Sequence, residues 1–217
     1  MRFATSYDAL FRPYLQDPVD PDLFTNRPEA LCAELSRLAY FPFPPDASRL
    51  AAAFERHGFV DWHFFEEPHR DTRAIALVDA DGTAWIAFRG TEKTSRSNIL
   101  TDAAFLKRPW HMGGRVHRGF RRAYSEAGSV RWTDRDSKPG PMHERGFSMR
   151  DCLGTWIAQH ARGRLVVTGH SLGAALATLL ASEHLQAELV TFGSPLVGNA
   201  EFAALFDDPS RIVKRYR

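Results

Sequence analysis

The chain has 217 residues, 44% hydrophobic and 25% charged, and its 28 basic and 26 acidic side chains leave a formal net charge of +2. That length suits one domain with a sizeable core, and so even a balance says almost nothing about partners globally; no nucleic acid is expected. Cys32 and Cys152 are too few for a disulfide framework and lack metal-ligand spacing, so two unpaired core thiols in a reducing cytoplasm are expected.

The first residues, MRFATSYDALFRPYLQDP, contain no apolar secretory core, and no later stretch reaches membrane-spanning length. The expected setting is therefore cytoplasmic, with export only by a route that needs no N-terminal signal. Residues 1–26, punctuated by Pro and Asp, read as an irregular arm. Asn26-Arg27-Pro28 then opens a helix with a cap and an early proline, and Leu31, Leu35 and Leu38 give it an apolar stripe up to Tyr40. After the break at PFPPD a second helix runs from Ala47 to His57 and stops at Gly58. Residues 1–58 thus form an arm and helices packed on a domain that occupies 59–217.

From Phe59 the apolar period changes. Phe59 to Phe65, Arg73 to Val78 and Thr83 to Phe88 read as strands, the last two joined by the hairpin signal Asp79-Ala80-Asp81-Gly82. Val116 to Tyr124 and Arg150 to His160 read as helices, and the polar run VRWTDRDSKPGPMHERGF between them as a long inserted loop. Glu188 to Phe192 is a strand, Ala200 to Phe206 a short helix, and Arg211 to Tyr216 the start of another strand. Between Arg115 and Arg164, eleven basic residues face five acids. Such a run is either a solvated arginine face or a surface that settles on anionic lipid.

The organising stretch is RLVVTGHSLGAALATLLAS, from Arg164 to Ser182. A short β-branched run passes through Gly169-His170-Ser171-Leu172-Gly173 into strong helix formers. A strand turning at once into a helix through G-x-S-x-G is the sequence form of a nucleophile elbow. The turn is so tight that Gly169 and Gly173 must lack side chains. Ser171 Oγ is then raised above the strand end, beside the free N–H groups of a helix N-terminus. Alternating strands and helices around it imply an α/β fold, with the site at the C-terminal edge of the strands.

Four segments in fixed order, AWIAFRGTE (84–92), VHRGF (116–120), VTGHSLGAALATLLA (167–181) and VTFGSPLVGNAEF (190–202), resemble the class-3, fungal-type lipase family of α/β-hydrolases. The resemblance runs from about Ala74 to Val213. It implies an α/β-hydrolase-like central sheet flanked by helices, lacking its last elements. It also implies hydrolysis of acylglycerol or phospholipid esters, by a Ser-Asp-His triad beneath a mobile lid and with no metal or cofactor.

Residue by residue, Ser171 matches the nucleophile and Thr91 the oxyanion-hole residue after the FRG strand end, and Leu172 follows the nucleophile. Chemically, two N–H donors must converge where charge develops on the attacked carbonyl, and the amide of Leu172 and the Thr91 segment are the pair so placed in the chain. The segment from Thr94 to Leu106 stands where the family carries its lid. Its apolar residues Ile99, Leu100, Phe105 and Leu106 fit either a cap that opens on lipid or the core side of a helix end. Asn98 and Asp102 match polar family positions, Asp102 as a support for Thr91. Gly193, Pro195 and Gly198 shape a loop, with Ser194 structural.

In this superfamily the acid and then the histidine follow the serine in chain order. Downstream of Ser171 the only histidine is His184, thirteen residues along the same expected helix and about 20 Å away. His170 is aimed aside by its position, and His117 in VHRGF is not the family's base. Asp207 and Asp208 precede the last strand instead of following it, and Glu183, Glu188 and Glu201 match no better. No triad acid or histidine is found by motif. The expectation is a C-terminally incomplete lipase domain whose partner is a lipid ester, presented at a membrane or lipid-droplet surface. The alternative is an inactive pseudo-lipase that only binds lipid or a partner.

Overall fold

The computed structural model describes residues 28–43, 45–90, 106–142 and 144–217. Among these residues two helices come first, α1 (Pro28–Leu38) and α2 (Ala47–Arg56), followed by strands β1 (Phe59–Glu67), β2 (Thr72–Asp79) and β3 (Ala84–Phe88). A small hairpin of β4 (Lys107–Pro109) and β5 (Arg115–His117) leads into α3 (Arg118–Ser125), then β6 (Gly128–Asp134), β7 (Glu144–Phe147) and α4 (Met149–His160). The chain continues through β8 (Leu165–His170), α5 (Leu172–Glu183), β9 (Glu188–Phe192), the single turn α6 (Ala200–Ala203) and β10 (Val213–Tyr216).

Eight of the strands make one mixed sheet in the order β10-β9-β8-β3-β2-β1-β6-β7. The strands from β3 to β7 along that order are antiparallel neighbours, whereas β3, β8, β9 and β10 run parallel. Each face of this sheet has its own core, because successive side chains of a strand point to opposite sides. On β3, Ala84, Ile86 and Phe88 join the cluster formed with α3, α4 and α5, while Trp85 and Ala87 join the cluster under α1 and α2. Cys152 belongs to the first cluster and Cys32 to the second, both buried and free, so the sheet separates them.

The arrangement is α/β, as the sequence implied. α5 is buried almost all round, and its run of alanines lets it lie close against β3, β8 and β9. On the opposite face, α1 is tied to β8 by Ser36 Oγ and Thr168 Oγ1, 3.0 Å apart. The arm of residues 1–26 lies outside the described residues.

One expectation fails clearly. The segment read as an inserted loop forms β6 and β7, with β6 paired antiparallel to β1. Val130 and Trp132, two residues apart, are both buried, and the Trp132 indole N–H donates to His63 Nδ1 at 3.0 Å. The polar residues between the strands form the turn, where Asp134 Oδ1 accepts from the amides of Asp136 and Lys138. Boundaries shift for local reasons too. α3 starts at Arg118 because Arg115–His117 pairs with β4. α4 starts at Met149 because Ser148 and Asp151 form a reciprocal capping box. The strand expected from Arg211 starts at Val213.

Candidate active site

Ser171 sits between the last residue of β8 and the first of α5 with φ 58° and ψ −122°. A non-glycine residue there is strained by roughly 1–3 kcal/mol, which the surroundings must hold. They do so through backbone hydrogen bonds: Ser171 N–H donates to Phe192 O at 2.9 Å, and Ala174 N–H donates to Ser171 O at 3.0 Å. The flanking glycines are required sterically. A Cβ on Gly169 would lie 2.5 Å from the Gly173 carbonyl, and one on Gly173 would strike Phe88 O and lie 2.8 Å from Arg89 C. Strand β8, helix α5 and the end of β3 therefore meet backbone to backbone.

The same crowding continues at Gly90. A Cβ there would stand 3.3 Å from Ser171 Cβ and 2.5 Å from His170 O, and would collide with the Tyr40 hydroxyl. The segment that leads into Thr91 thus abuts the serine. Thr91, Asn98, Asp102 and the expected lid, apart from the exposed Leu106, lie outside the described residues. Leu172 is the buried first residue of α5, where an N–H has no acceptor within its own helix. A cavity of about 250 Å³ opens beside it, lined by His69, Arg70, Gly119, Arg122, Ala123 and Leu172.

The histidines fall where the sequence placed them. His170 Nδ1 is 2.9 Å from Tyr40 Oη, and its Nε2 side faces Gly193. Tyr40 is the contact sequence reasoning missed, since it lies 130 positions from its partner; its one signal is an aromatic residue at the end of the α1 stripe. His117 is buried against the Phe120 ring. His184 caps the far end of α5, a twelve-residue helix or about 18 Å from Ser171, and burial lowers its pKa.

The candidate acids are engaged elsewhere. Asp208 accepts from Ser210, whose backbone and hydroxyl hydrogen bonds hold its carboxyl below the usual range. Glu183 binds Arg150, His111 and the Tyr124 hydroxyl, and Glu188 binds Arg164. Asp207 lies in the turn before β10 and Glu201 in the first turn of α6. Ser194 Oγ donates to Pro195 O, a local loop contact. Among the described residues, no imidazole or carboxylate is hydrogen-bonded to the Ser171 hydroxyl.

One cluster has the composition of a metal site: Asp61, His63 and His160 bring their donor atoms within 4.8 Å of one another. Its hydrogen bonds argue otherwise. Because Trp132 N–H donates to His63 Nδ1, the proton of neutral His63 is on Nε2, which donates to Asp61 Oδ2 at 3.2 Å. That nitrogen offers a metal no lone pair. Burial opposes ionisation of Asp61, yet the hydrogen bonds it accepts from His63 and the Trp62 amide, with the positive charge His63 and His160 carry when protonated, outweigh it and hold the pKa below the usual value.

Comparison with known proteins finds a family match that spans this segment. The sequence matches the family described as "Lipase (class 3)" over residues 85–216. It is 48% identical over 159 residues to a secreted mono- and diacylglycerol lipase A of Penicillium cyclopium, covering 66% of this chain and 43% of that one. It is 28% identical over 208 residues to triacylglycerol lipase OBL1 of Ricinus communis, covering 78% of this chain and 39% of the other. The chain thus spans less than half the length of these relatives. In fold it resembles the native Rhizomucor miehei lipase propeptide complex, with a TM-score of 0.60 at 21% identity, covering 88% of this chain and 60% of that structure. By this match over residues 85–216, the chain belongs to the class-3 lipase family.

Proposed function

We propose that this protein hydrolyses carboxylic esters of lipids through an acyl-Ser171 intermediate. The observation that carries the reading is the elbow: a serine with positive φ, clamped between two glycines and backed by the strand end at Gly90. In this reaction Ser171 Oγ attacks the ester carbonyl carbon while its proton passes to a base. The oxyanion that forms is held by the Leu172 amide and the Thr91 segment. Collapse expels the alcohol, which takes up the proton, and water then repeats the attack to release the fatty acid and restore the serine.

An unassisted serine is a weak nucleophile, so the reaction requires an imidazole delivered to Oγ from beyond the described residues. The names of the Penicillium and Ricinus relatives favour acylglycerols as the substrate class. The ester would be met at a lipid surface. The two buried free thiols, kept apart by the sheet, favour a reducing compartment.

A fluorophosphonate probe tests the chemistry directly. It should label the full-length protein at Ser171, and Ser171→Ala should lose both the label and turnover of an acylglycerol emulsion. A well-folded protein that takes no label would refute catalysis and leave a lipid-binding module as the answer.

A further inference from the structure

The twenty residues from Leu106 to Ser125 contain Lys107, Arg108, Arg115, Arg118, Arg121 and Arg122 and not one Asp or Glu. The fold gathers them onto one short hairpin and the helix that follows it. β4 pairs with β5 so that Arg108 lies opposite Val116, and the Arg115 side chain reaches back to Lys107 O at 2.9 Å. α3 follows at once. Its Phe120 and Tyr124 are buried, while Arg118, Arg121 and Arg122, at i, i+3 and i+4, form an exposed stripe. Arg122 meets Glu126 at 3.2 Å; among the described residues Arg108, Arg118 and Arg121 make no ion pair.

Two bare leucines flank these cations. Leu106, 51% exposed, accepts the Arg118 amide through its carbonyl, and Leu196, 71% exposed, precedes the Val197 carbonyl that accepts from His117 N–H. The stripe also ends at the proposed site, because Arg122 and Gly119 line the cavity beside Leu172.

We infer that the β4–β5 hairpin and α3 form a docking surface for an anionic phospholipid membrane. The arginines pair with lipid phosphates and carboxylates, and Leu106 and Leu196 enter the interface, which turns the mouth beside Leu172 toward the lipid. Charge complementarity selects this partner, and the exposed leucines favour a bilayer over a nucleic acid, whose backbone gives them nothing to enter. This rests on the lipid-ester reading for its orientation of the site, but not for the binding itself.

The test therefore uses the full-length protein carrying Ser171→Ala, so that a failure of catalysis leaves the readout untouched. Co-sedimentation should show binding to phosphatidylcholine vesicles containing phosphatidylserine, little binding to phosphatidylcholine alone, and loss as salt rises from about 0.05 to about 0.5 M. Arg118→Gln with Arg121→Gln should weaken it roughly 25-fold, about fivefold per cation. Arg118→Lys with Arg121→Lys should retain it. Arg56→Gln with Arg162→Gln, which removes the same charge from exposed positions elsewhere, should leave it unchanged. Equal binding to both vesicles, equal loss in the two glutamine pairs, loss in the lysine pair, or an Arg118/Arg121-dependent preference for duplex DNA over vesicles would each overturn the inference.

Discussion

Gly173→Ala and Gly154→Ala are the same chemical change inside two helices, and the structure predicts opposite signs. Alanine in a helix interior is favoured over glycine by about 0.5–1 kcal/mol, since it restricts the unfolded chain. At Gly154, in α4, an added Cβ meets nothing within 4 Å, so the substitution should stabilise by about that amount. At Gly173 the Cβ would strike Phe88 O and lie 2.8 Å from both the carbonyl carbon and oxygen of Arg89. Those are backbone atoms of the central strand end and cannot rotate away. Overpacking a core typically costs about 1–3 kcal/mol, and against rigid backbone the upper part of that range applies, leaving a net loss of about 2–3 kcal/mol. The relief is to push α5 away from β3, which moves the Leu172 amide, an oxyanion donor in the proposed reaction, away from Gly90. Losing one oxyanion donor costs about 100- to 1,000-fold in turnover. Urea unfolding followed by circular dichroism measures the first quantity, and ester hydrolysis per folded molecule the second. If Gly173→Ala matched Gly154→Ala in stability, β3 and α5 would not meet as described and the account of the elbow would fail.

Burial pushes both thiols, Cys32 and Cys152, up to about 12 from an ordinary value near 9.0. Neither should react with a thiol reagent near pH 8 until the protein is unfolded, when both should. Since the raised values belong to the folded state, the stability they contribute is whole below about pH 9 and is lost as pH rises toward 12; replacing both with alanine should flatten that alkaline decline. Trp132→Phe strips the donor from the buried His63 Nδ1 and opens space above Gly140. It should cost about 2–4 kcal/mol, with a coupling of at least about 1 kcal/mol to His63→Leu in a double-mutant cycle. Additive effects would mean the two rings do not share a hydrogen bond.

What the sequence disclosed was what its local chemistry enforces. The elbow was legible because its pattern is complete within five residues, where Gly169 is crowded by Gly173, although Gly173 itself answers to the distant Phe88 and Arg89. The central strands were legible because β-branched and aromatic runs are bounded by turn residues, as at Asp79, whose carboxylate accepts the Asp81 and Thr83 amides. β6 and β7 escaped because their signal is two buried residues, Val130 and Trp132, amid polar neighbours, and only the distant His63 and Phe65 give that alternation meaning. The contact of Tyr40 with His170, and the approach of Gly90 to Ser171, join segments far apart in the chain. No window of sequence contains both partners.

The pairing of β3 with β8 also says when the serine becomes useful. The antiparallel strands β1, β2 and β3 are neighbours along the chain and close short loops. Phe88, however, must find Gly169, more than a third of the polypeptide away, before Gly90 can come to rest against Ser171. Such distant partnerships form late, after the entropy of the intervening loop has been overcome. Reactivity of Ser171 toward a probe would then be a clock for the last stage of folding, silent until the two halves of the sheet have joined.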